Sequence, residues 1–253
     1  MLSPQSAQST AAGLRVQTHR LVQWSRLHPM RAVVYGLGIF IAAEYLSLPN
    51  SSLEDLQSQN PGRTALMLQR EHEASEVGKA YRIKQTWVPL RHISPDLVHA
   101  VIVSEDGTFY THGGVDWYEV EESIEKNIEE GKAARGASTI SQQLAKNLFL
   151  STSKDPFRKL KELVITLRME RMLTKRRILE LYLNVIEWGD GVYGAEAAAR
   201  KYFGKSAADL TRDEAARLAA VIPSPLRHEP DVPSQYVERR SSLILERMNA
   251  RGY

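Results

Sequence analysis

"AVIVSEDGTFYTHGG" (residues 100–114) is the stretch on which the reading of this chain turns. Looking back from Glu105, Leu97, Val98, Val101 and Ile102 recur at helical spacing. Glu105 continues that apolar stripe, four residues after Val101 and three after Ile102. The spacing predicts a helix whose core-facing side ends on a carboxylate, followed by a second acid at Asp106 and then by Phe109 and His112. Two readings are open from these residues alone. Either the helix frays and Glu105 turns into water, or the carboxylate is held against apolar side chains. The second arrangement disfavours the charged form and raises the pKa, as a general base working near neutrality requires. His112 fits a structural role, hydrogen-bonding a backbone or carboxylate group to order the loop.

Outward from this stretch, helical signals dominate and alternating strand patterns are scarce. "SPD" (94–96) offers Ser94 as N-cap and Pro95 in the first turn. "TISQ" (139–142) and "TRDE" (211–214) are capping boxes, and Pro223 stops the helix that follows the second. Asp155-Pro156 opens a long helix in which Leu160, Leu163, Val164 and Leu167 form one stripe, while Gly189, Gly191 and Gly194 break the chain into a loop. There is no internal repeat. These signals predict one mainly helical domain.

The 253 residues are 43% apolar, enough for a sizeable core, and contain no cysteine. Disulfides, Cys-ligated zinc and thiol catalysis are thereby excluded. The net charge of +3 is unevenly placed: residues 1–43 carry Arg15, Arg20, Arg26 and Arg31 with no acid or lysine, a net +4, which leaves −1 for the rest. The body has no positive charge to attract a phosphate backbone, so nucleic acid is not an expected partner. Directly after Arg31 comes "AVVYGLGIFIAAEYLSL" (32–48), in which Ala32 to Ala43 are uninterrupted by charge. Those twelve residues fall short of the ~20 that a bilayer span needs, but extension to Leu48 gives a near-span with Glu44 toward its outer end. Arginines before it and Glu54 and Asp55 after it fit a positive-inside signal anchor; a cleaved signal peptide and a buried helix are the alternatives. The expected layout is a basic cytoplasmic tail (1–31), a transmembrane anchor (32–49), a Ser/Asn/Pro-rich linker (50–80) and a catalytic domain (81–253).

Two further stretches concentrate residues that a helical scaffold does not need. In "RGASTISQQLAKN" (135–147) the capping box accounts for Thr139 and Gln142, but not for Gln143, Lys146 and Asn147. Gln142 and Gln143 lie four and three residues before Lys146, so all three can address one pocket suited to a polyanionic or sugar ligand. In "RKLKE" (158–162), Arg158 and Lys159 stand four and three residues before Glu162, which on its own reads as an exposed helical ion pair worth ~0.3–0.5 kcal/mol. "STSK" (151–154) formally matches the S-x-x-K of acyl enzymes, but no S-D-N or K-T-G accompanies it, and the match is a coincidence. His-based metal spacing and glycine-rich nucleotide loops are absent from the sequence.

Taken together and in order, the three stretches resemble the peptidoglycan glycosyltransferases, glycosyltransferase family 51. The first motif, E-D-x-x-F-x-x-H-x-G-x-D, is matched by Glu105, Asp106, Phe109, His112, Gly114 and Asp116. The second, G-x-S-T-I-T-Q-Q-L-x-K-N, is matched by Gly136, Ser138, Thr139, Ile140, Gln142, Gln143, Leu144, Lys146 and Asn147, with Ser141 in place of Thr. The third, R-K-x-x-E followed by L-E and I-L-E-x-Y-L-N, is matched by Arg158, Lys159, Glu162, Glu170, Ile178, Leu179, Glu180, Tyr182, Leu183 and Asn184. Thr166 and Met169 stand where the family usually has Ala and Leu. Residues 187–205 and 210–225 look like the last two motifs, and the length is similar to that of the monofunctional members.

The resemblance implies a mainly α fold: a lysozyme-like helical lobe with a small membrane-apposed jaw lobe, preceded by the N-terminal anchor helix. The jaw is expected around 147–157, where Leu148, Phe149, Leu150 and Phe157 would dip into lipid. It implies an enzyme that polymerises lipid II into glycan strands, placed at the bacterial inner membrane with its catalytic domain in the periplasm. Glu105 would be the general base and Glu162 the second essential acid. Lys146, Arg158 and Lys159 would neutralise the pyrophosphate leaving group, and Asp106, Ser138, Thr139, Gln142, Gln143 and Asn147 would position sugars. No protein metal site is implied, although a divalent cation (Mg or Mn) could assist at the pyrophosphate. Penicillin-binding and cell-division proteins are the expected protein partners. A lysozyme-like muramidase, which also needs two carboxylates, is the enzymatic alternative, and a glycan-binding scaffold is the non-enzymatic one.

Overall fold

The computed structural model describes residues 26–47, 50–129, 137–150 and 157–253. The tail before Arg26, Gly136, and the 151–156 part of the expected jaw, with the Asp155-Pro156 helix start, lie outside the described residues. The chain divides into two units, one up to Leu48 and one from Pro49 to Tyr253. In the first, α1 (Pro29–Ser47) covers most of the expected anchor and exposes Met30, Val33, Val34, Tyr35, Leu37 and Ile39. Among the described residues no helix is long and apolar enough to cross a membrane. Arg31 and Glu44 confine the uninterrupted apolar run of α1 to twelve residues.

The second unit is built around α8 (Lys175–Val185), started by Thr174, whose hydroxyl accepts from Arg177 N. Ile178, Leu179, Leu181, Tyr182, Leu183 and Val185 are all buried, so α8 hides nearly its whole circumference, as a central core helix does. On it lies α6 (Ile140–Phe149), which also packs against α7 (Arg158–Met172) and α3 (Ala65–Glu76). A second group packs α4 (Pro95–Glu105) against α10 (Arg212–Val221) and α11 (Gln235–Ala250). Both expected capping boxes are present, at Thr139 with Gln142 and at Thr211 with Glu214. α5 (Trp117–Glu129) follows the loop after α4, and α9 (Ala195–Phe203) completes this unit together with α2 (Asn50–Asp55).

Four local expectations change. The 50–80 stretch, whose composition suggests a linker, holds α2 and α3 and buries Leu53, Leu56 and Met67. Arg177 holds it down, donating to Leu56 O (2.8 Å), Gln59 O (2.7 Å) and Asn60 Oδ1 (3.0 Å). The glycine-broken stretch near 190 is a hairpin of β2 (Glu187–Gly189) and β3 (Val192–Tyr193), with β1 (Lys84–Gln85) added parallel to β3. Gly194 (φ +82) must be glycine there, because a Cβ would stand 2.6 Å from Asn184 O. On α7 the buried residues are Glu162, Val164, Ile165, Thr166, Arg168 and Met169, so of the expected Leu160–Leu163–Val164–Leu167 stripe Val164 is in the core, Leu160 and Leu163 are half-buried and Leu167 is exposed. Helical spacing fits more than one face; packing on α6 selects the one carrying Glu162. Finally, Leu148 is buried at the end of α6 and cannot dip into lipid, whereas Phe157 is exposed. α5 also exposes large apolar side chains, at Trp117, Tyr118, Ile124 and Ile128.

Candidate active site

Glu105 is the last residue of α4, and Asp106 (φ −160, ψ 76) leaves the helix as its C-cap. Leu97, Val101 and Ile102 bury the stripe behind it as their spacing predicts. The Glu105 carboxylate lies deep among protein groups while part of the residue stays open. That burial raises its pKa; opposing donors are Gln143 Nε2 to Oε2 (3.0 Å) and Ser104 Oγ to Oε1 (3.1 Å), with the charge of Arg240 beyond them. Burial outweighs the donors because hydrogen bonds stabilise the anion only partly against the loss of water.

Asp106 does different work. Its side chain is 2% exposed, and both oxygens accept from protein: Oδ1 from His112 Nε2 (2.9 Å), Oδ2 from Ile140 N (2.9 Å) at the start of α6. His112 Nδ1 accepts from Gly114 N (3.1 Å), so the proton must sit on Nε2, and the histidine orders the loop as expected. Thr139 and Gln142 are likewise buried and engaged: Thr139 Oγ1 donates to Gly114 O (2.6 Å) and accepts from Gln142 N, while Gln142 Oε1 accepts from Thr139 N (3.0 Å). Asp106, Thr139 and Gln142 therefore form a strut joining the Glu105 loop to α6. Gly114 (φ +100) belongs to it too, since a Cβ would lie 2.9 Å from Glu170 Cγ and from Thr166 Cγ2.

The second acid comes from α7. Glu162 has a side chain only 4% exposed and an ion pair to Lys159, and its Oε2 lies 3.5 Å from Arg158 Nη1, so this is no exposed surface pair. Lys146 of α6 lies within the fields of both acids. Burial lowers its pKa, Glu162 and Glu105 oppose that, and Arg158 and Lys159 add to it. Ser138 is exposed beside them, its Oγ 3.5 Å from Lys159 Nζ and its carbonyl 3.5 Å from Gln143 Nε2. Asn147 is buried on α6. The structure thus gathers Glu105, Gln143, Lys146, Ser138, Arg158, Lys159 and Glu162 into one cluster. Among the described residues no group of three or more His, Asp or Glu side chains could hold a metal ion, and Glu162 is already matched by two cations.

Sequence reasoning missed two supports. Ser104 donates to the base from the residue before it, and Tyr182 OH donates to Gln143 Oε1 (2.9 Å) from the centre of α8. Tyr182 stands in the third matched motif, but only the packing of α8 on α6 shows what it touches.

This cluster, a desolvated carboxylate and a cation-rich acid that both act on Lys146, fits a glycosyl-transferring enzyme, and the chain belongs to the transglycosylase family, whose model matches residues 71–249. Similar proteins, each named biosynthetic peptidoglycan transglycosylase, occur in Nitrosospira multiformis (47% identical over 75% of this chain and 82% of that protein) and Dechloromonas aromatica (48% over 76% and 83%). A third, from a Janthinobacterium species, is 46% identical over 76% of this chain and 84% of its own. The chain is a peptidoglycan glycosyltransferase of cell-wall synthesis, and these comparisons give no support to the muramidase alternative.

Proposed function

We propose that this enzyme extends glycan strands by transferring the growing chain from undecaprenyl pyrophosphate to the 4-hydroxyl of the N-acetylglucosamine of lipid II. Glu105 takes the proton of that hydroxyl, and the freed oxygen attacks C1 of the terminal N-acetylmuramic acid from the face opposite the pyrophosphate. One inversion converts the α-linked donor into a β-linked product. The raised pKa of Glu105 suits a base that must hold a proton once taken. Lys146, Arg158 and Lys159 neutralise the departing pyrophosphate, and Glu162 holds Arg158 and Lys159 in place beside it. Ser138, Gln143 and Asn147 are the sugar-positioning candidates that remain once Asp106, Thr139 and Gln142 are assigned to the strut.

The observation that carries this reading is the charge around the second acid: Glu162 is embedded among Arg158, Lys159 and Lys146. A hydrolase has no anionic leaving group to require three cations. Because the substrate is lipid-anchored, α1 is read as a single-pass anchor in the bacterial inner membrane with the catalytic unit on the periplasmic side. Trp117, Tyr118, Ile124 and Ile128 provide an apolar surface suited to the lipid. Penicillin-binding and cell-division proteins remain the proposed protein partners.

The test incubates the purified chain with labelled lipid II in detergent, beside Glu105→Gln and beside finished peptidoglycan, with and without Mg or Mn. A glycan ladder from wild type, none from Glu105→Gln and intact peptidoglycan support the reading. Degraded peptidoglycan with untouched lipid II overturns it. The cation arms show whether the pyrophosphate needs a counter-ion besides the three protein cations.

A further inference from the structure

Tyr182 is the feature of the site that the proposed reaction leaves unused. It stands at the centre of α8 with none of its surface exposed, and its hydroxyl reaches out of the core to Gln143 Oε1 at 2.9 Å. Gln143 in turn reaches Glu105 Oε2 at 3.0 Å through Nε2. An amide has one accepting and one donating end, and the two differ only by a flip about the last side-chain torsion. An ionised Glu105 requires the donating end. The flipped amide would set its oxygen against the carboxylate, where acceptor faces acceptor.

We propose that Tyr182 is a positioning residue for the base: by donating to Gln143 Oε1 it locks the amide in the one orientation that gives Glu105 an N–H. Burial, with Glu105 and Asp106 nearby, holds the phenol well above its ordinary pKa, so its proton is always there to donate. Gln143 itself is only half-buried, so water or a sugar hydroxyl can compete for either end of the amide. On the Nε2 side Ser138 O, at 3.5 Å, is only a long second acceptor, so the strong constraint on the amide is the 2.9 Å bond that α8 supplies from the core. The other groups facing Glu105 are Ser104 and Asp106 on its own segment, Lys146 on α6 and Arg240 on α11, and none of them is changed by removing the Tyr182 hydroxyl.

This inference rests on Glu105 being the base, and its test separates the two. Tyr182→Phe keeps the ring and its packing and removes only the donor. Lipid II polymerisation by the full chain is followed across pH for wild type, Tyr182→Phe, Gln143→Met, the double variant and Glu105→Gln. Loss of one hydrogen bond should lower kcat roughly two- to tenfold with KM for lipid II unchanged. Without a fixed N–H the Glu105 anion is less stabilised, its pKa rises, and the acid limb of the kcat/KM profile moves to higher pH. Gln143→Met should shift the limb at least as far, and the double variant should be no worse than Gln143→Met, because Tyr182 acts only through the amide. A Tyr182→Phe enzyme with the wild-type profile overturns the proposal, as do losses that multiply in the double variant. If Tyr182→Phe fails to fold, an unmoved acid limb in Gln143→Met overturns it as well. An active Glu105→Gln sinks the base assignment itself, whereas an inactive one beside an unaltered Tyr182→Phe sinks only the lock.

Discussion

Asp106→Asn is a near-isosteric change whose cost follows from the direction of three hydrogen bonds. Gly114 N donates to His112 Nδ1, which forces the proton to Nε2, and Nε2 and Ile140 N then both donate to Asp106. A carboxylate accepts both; an asparagine has one oxygen and must turn its NH2 on the other donor. The histidine cannot adapt by moving its proton to Nδ1, because it would then collide with Gly114 N–H. One buried donor, His112 Nε2–H or Ile140 N–H, is left unmet against a side chain 2% exposed, at a cost of about 1–3 kcal/mol. At roughly 2–4 °C per kcal/mol for a domain of this size, about 2 kcal/mol lowers Tm by ~4–8 °C. Asp106→Ala leaves both donors unmet and should cost about twice as much. Thermal unfolding followed by circular dichroism in detergent, with buffer and scan rate held fixed, measures both. An Asp106→Asn protein that melts within ~1 °C of wild type would refute the two-acceptor strut, as would an Asp106→Ala protein more stable than Asp106→Asn.

Two other expectations concern stability. Glu105 has its pKa raised on folding from an ordinary value of 4.5, so the folded state binds its proton more tightly than the unfolded state. Stability therefore falls as pH rises from 4.5 through the raised folded value, the reverse of the usual carboxylate. Glu105→Gln should be more stable than wild type in denaturant titrations above that window and equal to it below, and a variant no more stable at neutral pH contradicts the burial argument. Arg177→Ala removes three bonds to residues 56–60, so amide exchange across 53–60 should quicken by about tenfold or more. Unchanged exchange there would mean that Leu53 and Leu56 hold the segment without the arginine.

Much was legible in one dimension because the physics is local. The capping boxes at Thr139 and Thr211 need only neighbours three residues away, and the stripe before Glu105 needs only the helical period. The motif residues were visible as types and spacings, which is why Glu105, Lys146 and Glu162 could be singled out from sequence. Their division of labour was not. Asp106, Thr139 and Gln142 look like sugar-positioning residues until the loop and α6 are docked, when both Asp106 oxygens are found bonded to His112 and Ile140 N, the Thr139 hydroxyl to Gly114 O and the Gln142 Oε1 to Thr139 N. The α7 stripe was only partly right: Val164 is buried but Leu167 is not, because the helical period fits more than one face and packing on α6 turns Glu162, Thr166 and Met169 inward.

Tertiary structure also decided the matters that depend on distant partners. Residues 50–80 have the composition of a linker, but Arg177, more than a hundred positions away, turns them into part of the catalytic unit. Leu148 has the composition of a lipid contact and is a core residue. Tyr182 has the composition of core and reaches the base through one amide. The sequence by itself determined where helices start and which chemical groups are available, because those follow from torsions and spacings along the chain. Which carboxylate is desolvated, which amide end faces it and which acid is neutralised depend on burial and hydrogen-bond direction, and these exist only once α4, α6, α7 and α8 are packed together.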